Sequence, residues 1–254
     1  MESYLLANRP KFKEEATYCV RVINNDTCGL QFVPIGIVTH KLNQTFELRT
    51  DPKQPKQDCN AVYDSLKEAL EINEKVFNYN MLDLGCCSGA IALKMRKDQL
   101  LHFVLGVEAN KNLADYCRKL SIGPEHVYNN VINQDGKLFL DSKAQTNMKF
   151  DIIMALGCVN YSINPEFFLT KLKTYINKDG LVILTFFSKE EIHDYIFDIK
   201  LEVFLYNQNY IAETATKHGW QIVKQSNIAR KRKKPSEMIM ILKLNEHYAE
   251  SKSE

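Results

Sequence analysis

Met81-Leu82-Asp83-Leu84-Gly85-Cys86-Cys87-Ser88-Gly89-Ala90 is a short apolar run that closes on an acidic residue and passes directly into a glycine-punctuated turn. Ile91-Ala92-Leu93-Lys94-Met95-Arg96-Lys97 follows with the apolar and basic spacing of a helix. The first N–H groups of a helix lack an intrahelical acceptor, so this helix start offers them to whatever the glycines admit. Gly85 permits a tight reversal, and Gly89 a close approach of helix to strand. The stretch reads as the strand, loop and helix of a nucleotide-cofactor site.

Leu101-His102-Phe103-Val104-Leu105-Gly106-Val107-Glu108 is a second apolar run ending in an acid, and Glu108 lies 19 residues past Gly89. That is the spacing of a βαβ unit, with the carboxylate at the tip of the second strand. Such a carboxylate accepts hydrogen bonds from both ribose hydroxyls, which dinucleotides and S-adenosylmethionine have in common. Glu108, with Ala109 after it, is therefore a cofactor-binding candidate that does not separate a dehydrogenase from a methyltransferase.

Two features separate them. Asp83 puts a charge at the end of the first strand, where it can receive the amino group of a methionine moiety directly or through water. Near the end of the sequence, Trp220–Lys224 and Glu237–Leu244 read as two strands joined by a polar, basic connection, preceded by His218-Gly219-Trp220. Together these residues resemble the class I S-adenosylmethionine-dependent methyltransferases, whose first motif is an apolar strand, an acid and then Gly-x-Gly-x-Gly. The pattern here is Asp83-x-Gly85-x-Cys87-x-Gly89, with Cys87 in the place of the middle glycine. The resemblance covers roughly residues 60–244. It implies a Rossmann-like, mostly parallel seven-stranded α/β sheet closed by an antiparallel hairpin, with S-adenosylmethionine as cofactor and S-adenosylhomocysteine as product.

At 254 residues, with 45% hydrophobic and 25% charged residues, the chain suffices for one sizeable core. A formal net charge of +2 does not mark a dedicated nucleic-acid binder. The seven cysteines (Cys19, Cys28, Cys59, Cys86, Cys87, Cys117, Cys158) contain no Cys-x-x-Cys pair and no histidine at metal spacing, so they read as reduced thiols and no metal is expected. No secretory signal or run of about 20 apolar residues is present, which points to a soluble, cytoplasmic protein.

Residues 18–48 alternate apolar and polar positions around Asn24–Gly29, the pattern of a β-hairpin or small meander. Asp51–Asp58, polar and holding two prolines, reads as an exposed connection. The chain thus divides into an N-terminal β-hairpin extension over 1–57, a candidate substrate lid; a methyltransferase domain over 58–246; and a polar tail over 247–254. Val62, Leu66, Ala69, Leu70, Ile72 and Val76 give a helical stripe. Strands are predicted at Asn80–Leu84, Phe103–Val107, His126–Ile132, Phe150–Ala155 and Leu181–Phe186, with helices between them and right-handed crossovers.

The resemblance also implies site residues beyond Gly85, Cys86, Cys87, Ser88 and Gly89. Asn133, Gln134 or Asp135, after the third strand, is placed to meet the adenine amino group; a solvated turn is the plain alternative. Ala155-Leu156-Gly157 would emerge beside the cofactor at the end of the fourth strand. Tyr161, beyond it, is a candidate acid, base or orienting group, or an aromatic that only packs over the cofactor. Cys158 is not preceded by proline and reads as a packing residue rather than a nucleophile. Asn177-Lys178-Asp179-Gly180 reads as the turn before the fifth strand. Ser188–Asp194 follows that strand on the carboxyl side of the sheet, where ligands bind in open α/β folds. Within it, His193 is a candidate general base, or else an ordinary surface helix position.

Three functions fit these residues. The first is methyl transfer to an O, N or C atom of a small molecule. The second is methylation of tRNA or rRNA, with Arg230, Lys231, Arg232, Lys233 and Lys234 gripping phosphates. The third is an inactive interaction module, suggested by Cys87 in the glycine loop and by Asp179 in the degenerate turn.

Overall fold

The computed structural model describes residues 17–24, 27–34, 59–72, 78–142, 148–161, 165–198, 203–228 and 236–245. The basic residues 230–234, most of the predicted lid and the polar tail lie outside them. A 14-residue helix, α1 (Cys59–Ile72), precedes the first core strand and buries the predicted stripe of Val62, Leu66, Ala69 and Leu70. Strand β3 (Tyr79–Leu84), helix α2 (Ala90–Lys97), strand β4 (Leu101–Glu108) and helix α3 (Lys111–Lys119) then form the βαβα unit read from the sequence. The short pair β5 (Ser121–Ile122) and β6 (Glu125–His126) leads to β7 (Asn130–Asn133), and helix α4 (Gly136–Asp141) follows. The chain continues through β8 (Phe150–Leu156), a 3₁₀ turn (Cys158–Tyr161), α5 (Pro165–Leu172) and the 13-residue β9 (Ile176–Ser188). It ends with β10 (Tyr195–Asp198), β11 (Val203–Tyr206), α6 (Gln208–Lys217), β12 (Trp220–Ile228) and β13 (Ser236–Leu244).

Seven of these strands form the predicted sheet in the order β7-β4-β3-β8-β9-β13-β12, and β13 runs antiparallel to both of its neighbours. A ribbon enlarges it to eleven strands. The N-terminal hairpin of β1 (Thr17–Asn24) and β2 (Thr27–Pro34) pairs through β1 with β10, β10 pairs with β11, and β11 meets the carboxyl end of β9 at Tyr206 and Ser188. Residues 195–206 received no strand in the sequence reading. Both faces of β10 and β11 are buried, so their sequences are nearly continuous apolar runs without the alternation that marks a half-exposed strand.

Two apolar layers flank the sheet. One packs α1, α2 and α3 around Met81, Val104, Ile152 and Ile183; the other packs α4, α5 and α6 around Leu82, Phe150, Leu184 and Trp220.

Three further expectations are corrected. The strand predicted over His126–Ile132 shrinks to Asn130–Asn133, because Tyr128 turns inward and the Asn129 side chain, not a backbone carbonyl, accepts from Val104 N at 2.9 Å. The turn Asn177–Gly180 is a bulge inside β9: Phe150 pairs with Ile176, and Ile152 already with Leu181. His193 lies in a bend rather than a helix.

The junction of ribbon and sheet rests on one side chain. Asn160, 1% exposed, donates from Nδ2 to Phe204 O at 2.6 Å and accepts at Oδ1 from Phe187 N at 3.1 Å. It substitutes for a strand where β8 has ended and β11 has not yet closed on β9. Asn160→Leu keeps the volume but strands two buried backbone groups, each costing about 1–3 kcal/mol. Urea denaturation is expected to show a loss of about 3 kcal/mol, with Asn160→Asp losing at least as much, because it buries a charge and sets a carboxylate oxygen against Phe204 O.

Candidate functional site

The carboxyl ends of β3, β4, β7 and β8 converge on the loop 85–89. Gly85 (φ 69°) and Gly89 (φ 66°) adopt the left-handed backbone, and Cys87 adopts it too, with φ 54°. A residue with a side chain thus takes the left-handed backbone, at a cost of about 1 kcal/mol. Several bonds hold the loop: Gly85 N donates to Val107 O at 2.7 Å, Gly89 N to Cys86 O at 2.8 Å, and the Cys117 thiol to Cys87 O at 3.2 Å. Cys86 is buried against Gly106, Ser88 is half-buried, and Cys87 is exposed.

Glu108, 4% exposed, ends β4 beside this loop. Its Oε2 accepts from Cys87 N and its Oε1 from Asn110 N, both at 2.9 Å. Asn110 in turn caps α3 by accepting from Asn112 N and Leu113 N.

Asp83 is equally buried, and Tyr128 donates its hydroxyl to Asp83 Oδ2 at 2.7 Å. Burial pushes the Asp83 carboxyl up to about 7; the Tyr128 hydrogen bond opposes the rise and the nearby Glu108 charge adds to it. Tyr128 was not foreseen. Its ring fits only because Gly89 and Gly106 lack side chains: a Cβ on either would lie within 3.0 Å of the ring.

Of the three adenine candidates, two have local duties. Asn133 donates to Glu108 O and Ala109 O, and Asp135 caps α4 by accepting from Lys137 N and Leu138 N. Gln134 differs: its Oε1 is buried with no hydrogen-bond partner among the described residues.

At β8, Ala155 is buried, and Leu156 and Gly157 are partly exposed at the strand end, where Gly157 N donates to Thr185 O. Cys158 turns its thiol inward, donating to Leu84 O at 3.0 Å, and burial raises its pKa well above the ordinary value. Such a thiol stays protonated, in keeping with a packing role. Tyr161 packs with Phe187 against a separate apolar cluster of Ile192, Ile196, Val203 and Leu205 from the ribbon. His193 stands beside that cluster on the segment joining β9 to β10, its Nδ1 hydrogen-bonded to the carboxylate of the buried Asp194. Among the described residues, no group of three or more His, Cys, Asp or Glu side chains is placed to hold a metal ion, and no helix is long and apolar enough to cross a membrane.

The raised Asp83 carboxyl makes stability depend on pH. Between about pH 4 and 7 the folded protein keeps a proton that the unfolded chain has released, so this group's contribution falls as pH rises through that window. Asp83→Asn, which still accepts from Tyr128, removes the penalty. Denaturation at pH 5 and pH 8 is expected to show the variant gaining roughly 2–3 kcal/mol on the wild type between the two.

Comparison with known proteins shows the family and the fold. A family model described as a methyltransferase domain matches residues 39–225. The ubiquinone biosynthesis O-methyltransferase of Pelagibacter ubique is 24% identical over 66% of this chain and 61% of its own length. The pavine N-methyltransferase of Thalictrum flavum is 28% identical over 41% of this chain and 28% of its own. The chain therefore spans less than two thirds of either curated relative. Among solved structures, 1,6-didemethyltoxoflavin-N1-methyltransferase of Burkholderia thailandensis, with bound S-adenosylhomocysteine, superposes with a TM-score of 0.65 at 11% identity, over 93% of this chain and 98% of that one. Magnesium protoporphyrin IX methyltransferase of Synechocystis PCC 6803, with bound S-adenosylmethionine, gives 0.58 at 14% identity, over 83% and 96%. The family model covers most of the chain and the sheet superposes on solved structures, so this chain belongs to the methyltransferase-domain family, with the fold of the class I S-adenosylmethionine-dependent enzymes.

Proposed function

We propose that this chain transfers a methyl group from S-adenosylmethionine to a small-molecule acceptor. The observation that carries the reading is the pair of buried carboxylates, Asp83 and Glu108, at the carboxyl ends of adjacent strands on either side of a left-handed loop. Burying two acids costs several kcal/mol, and ligand groups that donate to them offset that cost.

The residues fit the cofactor. Glu108 would take the ribose hydroxyls, with Ala109 beside it. Gly85, Cys86, Cys87, Ser88 and Gly89, with the start of α2, would face the methionine end, and Asp83 would hold its ammonium. Gln134 Oε1, buried without a partner, would accept from the adenine amino group, while Asn133 and Asp135 shape that wall. Ala155, Leu156 and Gly157 would border the reacting end. When bound, the cofactor supplies an electrophilic methyl on a sulfonium; the chain aligns the acceptor and excludes water. Tyr161 and Phe187 would wall the acceptor side. The β1–β2 hairpin, tied through β10 and β11 to the end of β9, would extend that wall. The small-molecule names of the relatives support such an acceptor.

Calorimetry tests this reading, with NAD as the control ligand. S-adenosylmethionine and S-adenosylhomocysteine are expected to bind at micromolar levels and NAD not at all. Glu108→Gln, which puts an amide donor where the ribose also donates, is expected to weaken both at least tenfold. An ammonium prefers ionised Asp83, so affinity is expected to rise about tenfold per pH unit from pH 5.5 to 6.5, flattening above 7. Asp83→Asn should bind weakly without that slope. Tight NAD binding, or none by either sulfur ligand, would refute the reading.

A further inference from the structure

We infer that Tyr128 is a positioning residue of this site: its hydroxyl holds the Asp83 carboxylate ready for the cofactor's ammonium and so sets how tightly the amino-acid end of the ligand is kept. The inference rests on the cofactor reading above and adds what governs its ammonium-binding acid.

Tyr128 donates to Asp83 Oδ2 at 2.7 Å, and among the described residues that carboxylate accepts no other hydrogen bond, which leaves Oδ1 for a ligand. The ring is wedged between two elements of the site. A Cβ on Gly89, in the loop, would lie 3.0 Å from its Cε2, and a Cβ on Gly106, in β4, 3.0 Å from both Cδ1 and Cε1. The backbone on either side of the tyrosine is fixed as well. Val127 N donates to Leu120 O and Asn129 N to Val104 O, both at 2.9 Å, and Arg96 Nε donates to Val127 O at 3.0 Å. The hydroxyl is therefore presented to Asp83 by a rigid frame. A ring that only filled this space would not need the hydroxyl.

Burial and, less strongly, the Glu108 charge work against ionised Asp83, and the bond from Tyr128 works for it. The other titratable groups around the pair are Cys86 in the loop, Cys117 on α3 and Cys158 after β8. A hydrogen bond with Cys117, together with burial, pushes Cys86 well above the ordinary thiol range, and burial does the same to Cys158 and raises Tyr128. Cys117 keeps its proton to donate to Cys87 O. Of the groups facing Tyr128, Asp83 is thus the one that changes charge near neutral pH. Where it is protonated, binding of an ammonium sends that proton to solvent. As pH rises through this range ionised Asp83 accumulates, and the ammonium end is held more tightly. Removing the hydroxyl moves the range upward.

The test uses the whole chain with two ligands: S-adenosylhomocysteine, which carries an ammonium, and 5′-methylthioadenosine, which has the same nucleoside and no amino-acid end. Tyr128→Phe is expected to move the pH midpoint of S-adenosylhomocysteine affinity up by about one unit, weakening binding about fivefold at pH 7 and less than about twofold at pH 8.5. Methylthioadenosine is expected to bind both proteins within about twofold at either pH, which also reports that the variant folds. Calorimetry in two buffers of different ionisation enthalpy counts the protons. At pH 7 the wild type is expected to release about half a proton per S-adenosylhomocysteine bound, Tyr128→Phe about 0.9, and Asp83→Asn none. In the Asp83→Asn background, Tyr128→Phe is expected to change affinity less than about twofold, because its effect passes through that carboxylate. A loss of one size at every pH, an equal loss for methylthioadenosine, or a loss that persists without the Asp83 carboxylate would make Tyr128 a packing residue and overturn the inference. A wild type that binds S-adenosylhomocysteine and releases no proton would overturn it as well. One that binds neither ligand at any pH would overturn the cofactor reading instead.

Discussion

Two carboxylates withdrawn from water at the ends of neighbouring strands set the terms for everything around them. Burial disfavours ionisation of Asp83, and the nearby Glu108 charge adds to the effect. Glu108 is satisfied by backbone N–H groups, which obliges Cys87 to aim its amide inward and so sets the path of the loop. Asp83 is satisfied by a tyrosine from the far side of β4, and the ring reaches it only through the space left by Gly89 and Gly106. Loop shape, glycine positions and the inward turn at Tyr128 are consequences of one electrostatic problem.

The opposite wall answers a different problem, that of ending a parallel sheet. Strand β9 runs three residues past the last rung it shares with β8, where Leu156 meets Thr185. Its exposed backbone groups need partners there. The Asn160 side chain supplies one for Phe187, and Tyr206 O another, accepting from Lys189 N at 3.0 Å. Alternate residues of a strand aim their backbone groups to the same side, so Thr185, Phe187 and Lys189 all bond toward β8. The ribbon therefore continues the line that β8 abandons. It follows the carboxyl end of that strand, and this is what packs Tyr161, just past β8, against Ile192, just past β9.

The parts legible from sequence were those in which one residue acts through local geometry. Gly85 lies where a strand must reverse and Gly89 where a helix comes close to it, and Glu108 falls at the βαβ spacing because one helix and one strand set that distance. The antiparallel closing pair was legible from Trp220 to Leu244 because its strands have polar surroundings that bound them. Tyr128 was not, since its role depends on space left by two glycines 22 and 39 residues away. Nor was the ribbon: strands buried on both faces carry no period of two, and the pairing of β1 with β10 spans most of the chain. Asn160 and Asn207 look like loop residues in sequence and become structural only where β9 ends and α6 begins.

The replacement of the middle glycine by Cys87 is the feature that most favours a silent interaction module, and its geometry weighs against that reading. A side chain in the left-handed region relaxes toward ordinary backbone when nothing holds it there. Here Cys87 N is held by Glu108, Cys87 O by the Cys117 thiol, and the flanking Cys86 O by Gly89 N. All three bonds depend on the same backbone path, so a strain of about 1 kcal/mol is outweighed by hydrogen bonds worth about 1 kcal/mol each. What the substitution changes is the surface at the mouth of the loop, where an exposed thiol stands in place of a hydrogen atom. The backbone amides and the two carboxylates, which would do the binding, keep the arrangement that a glycine would have given them.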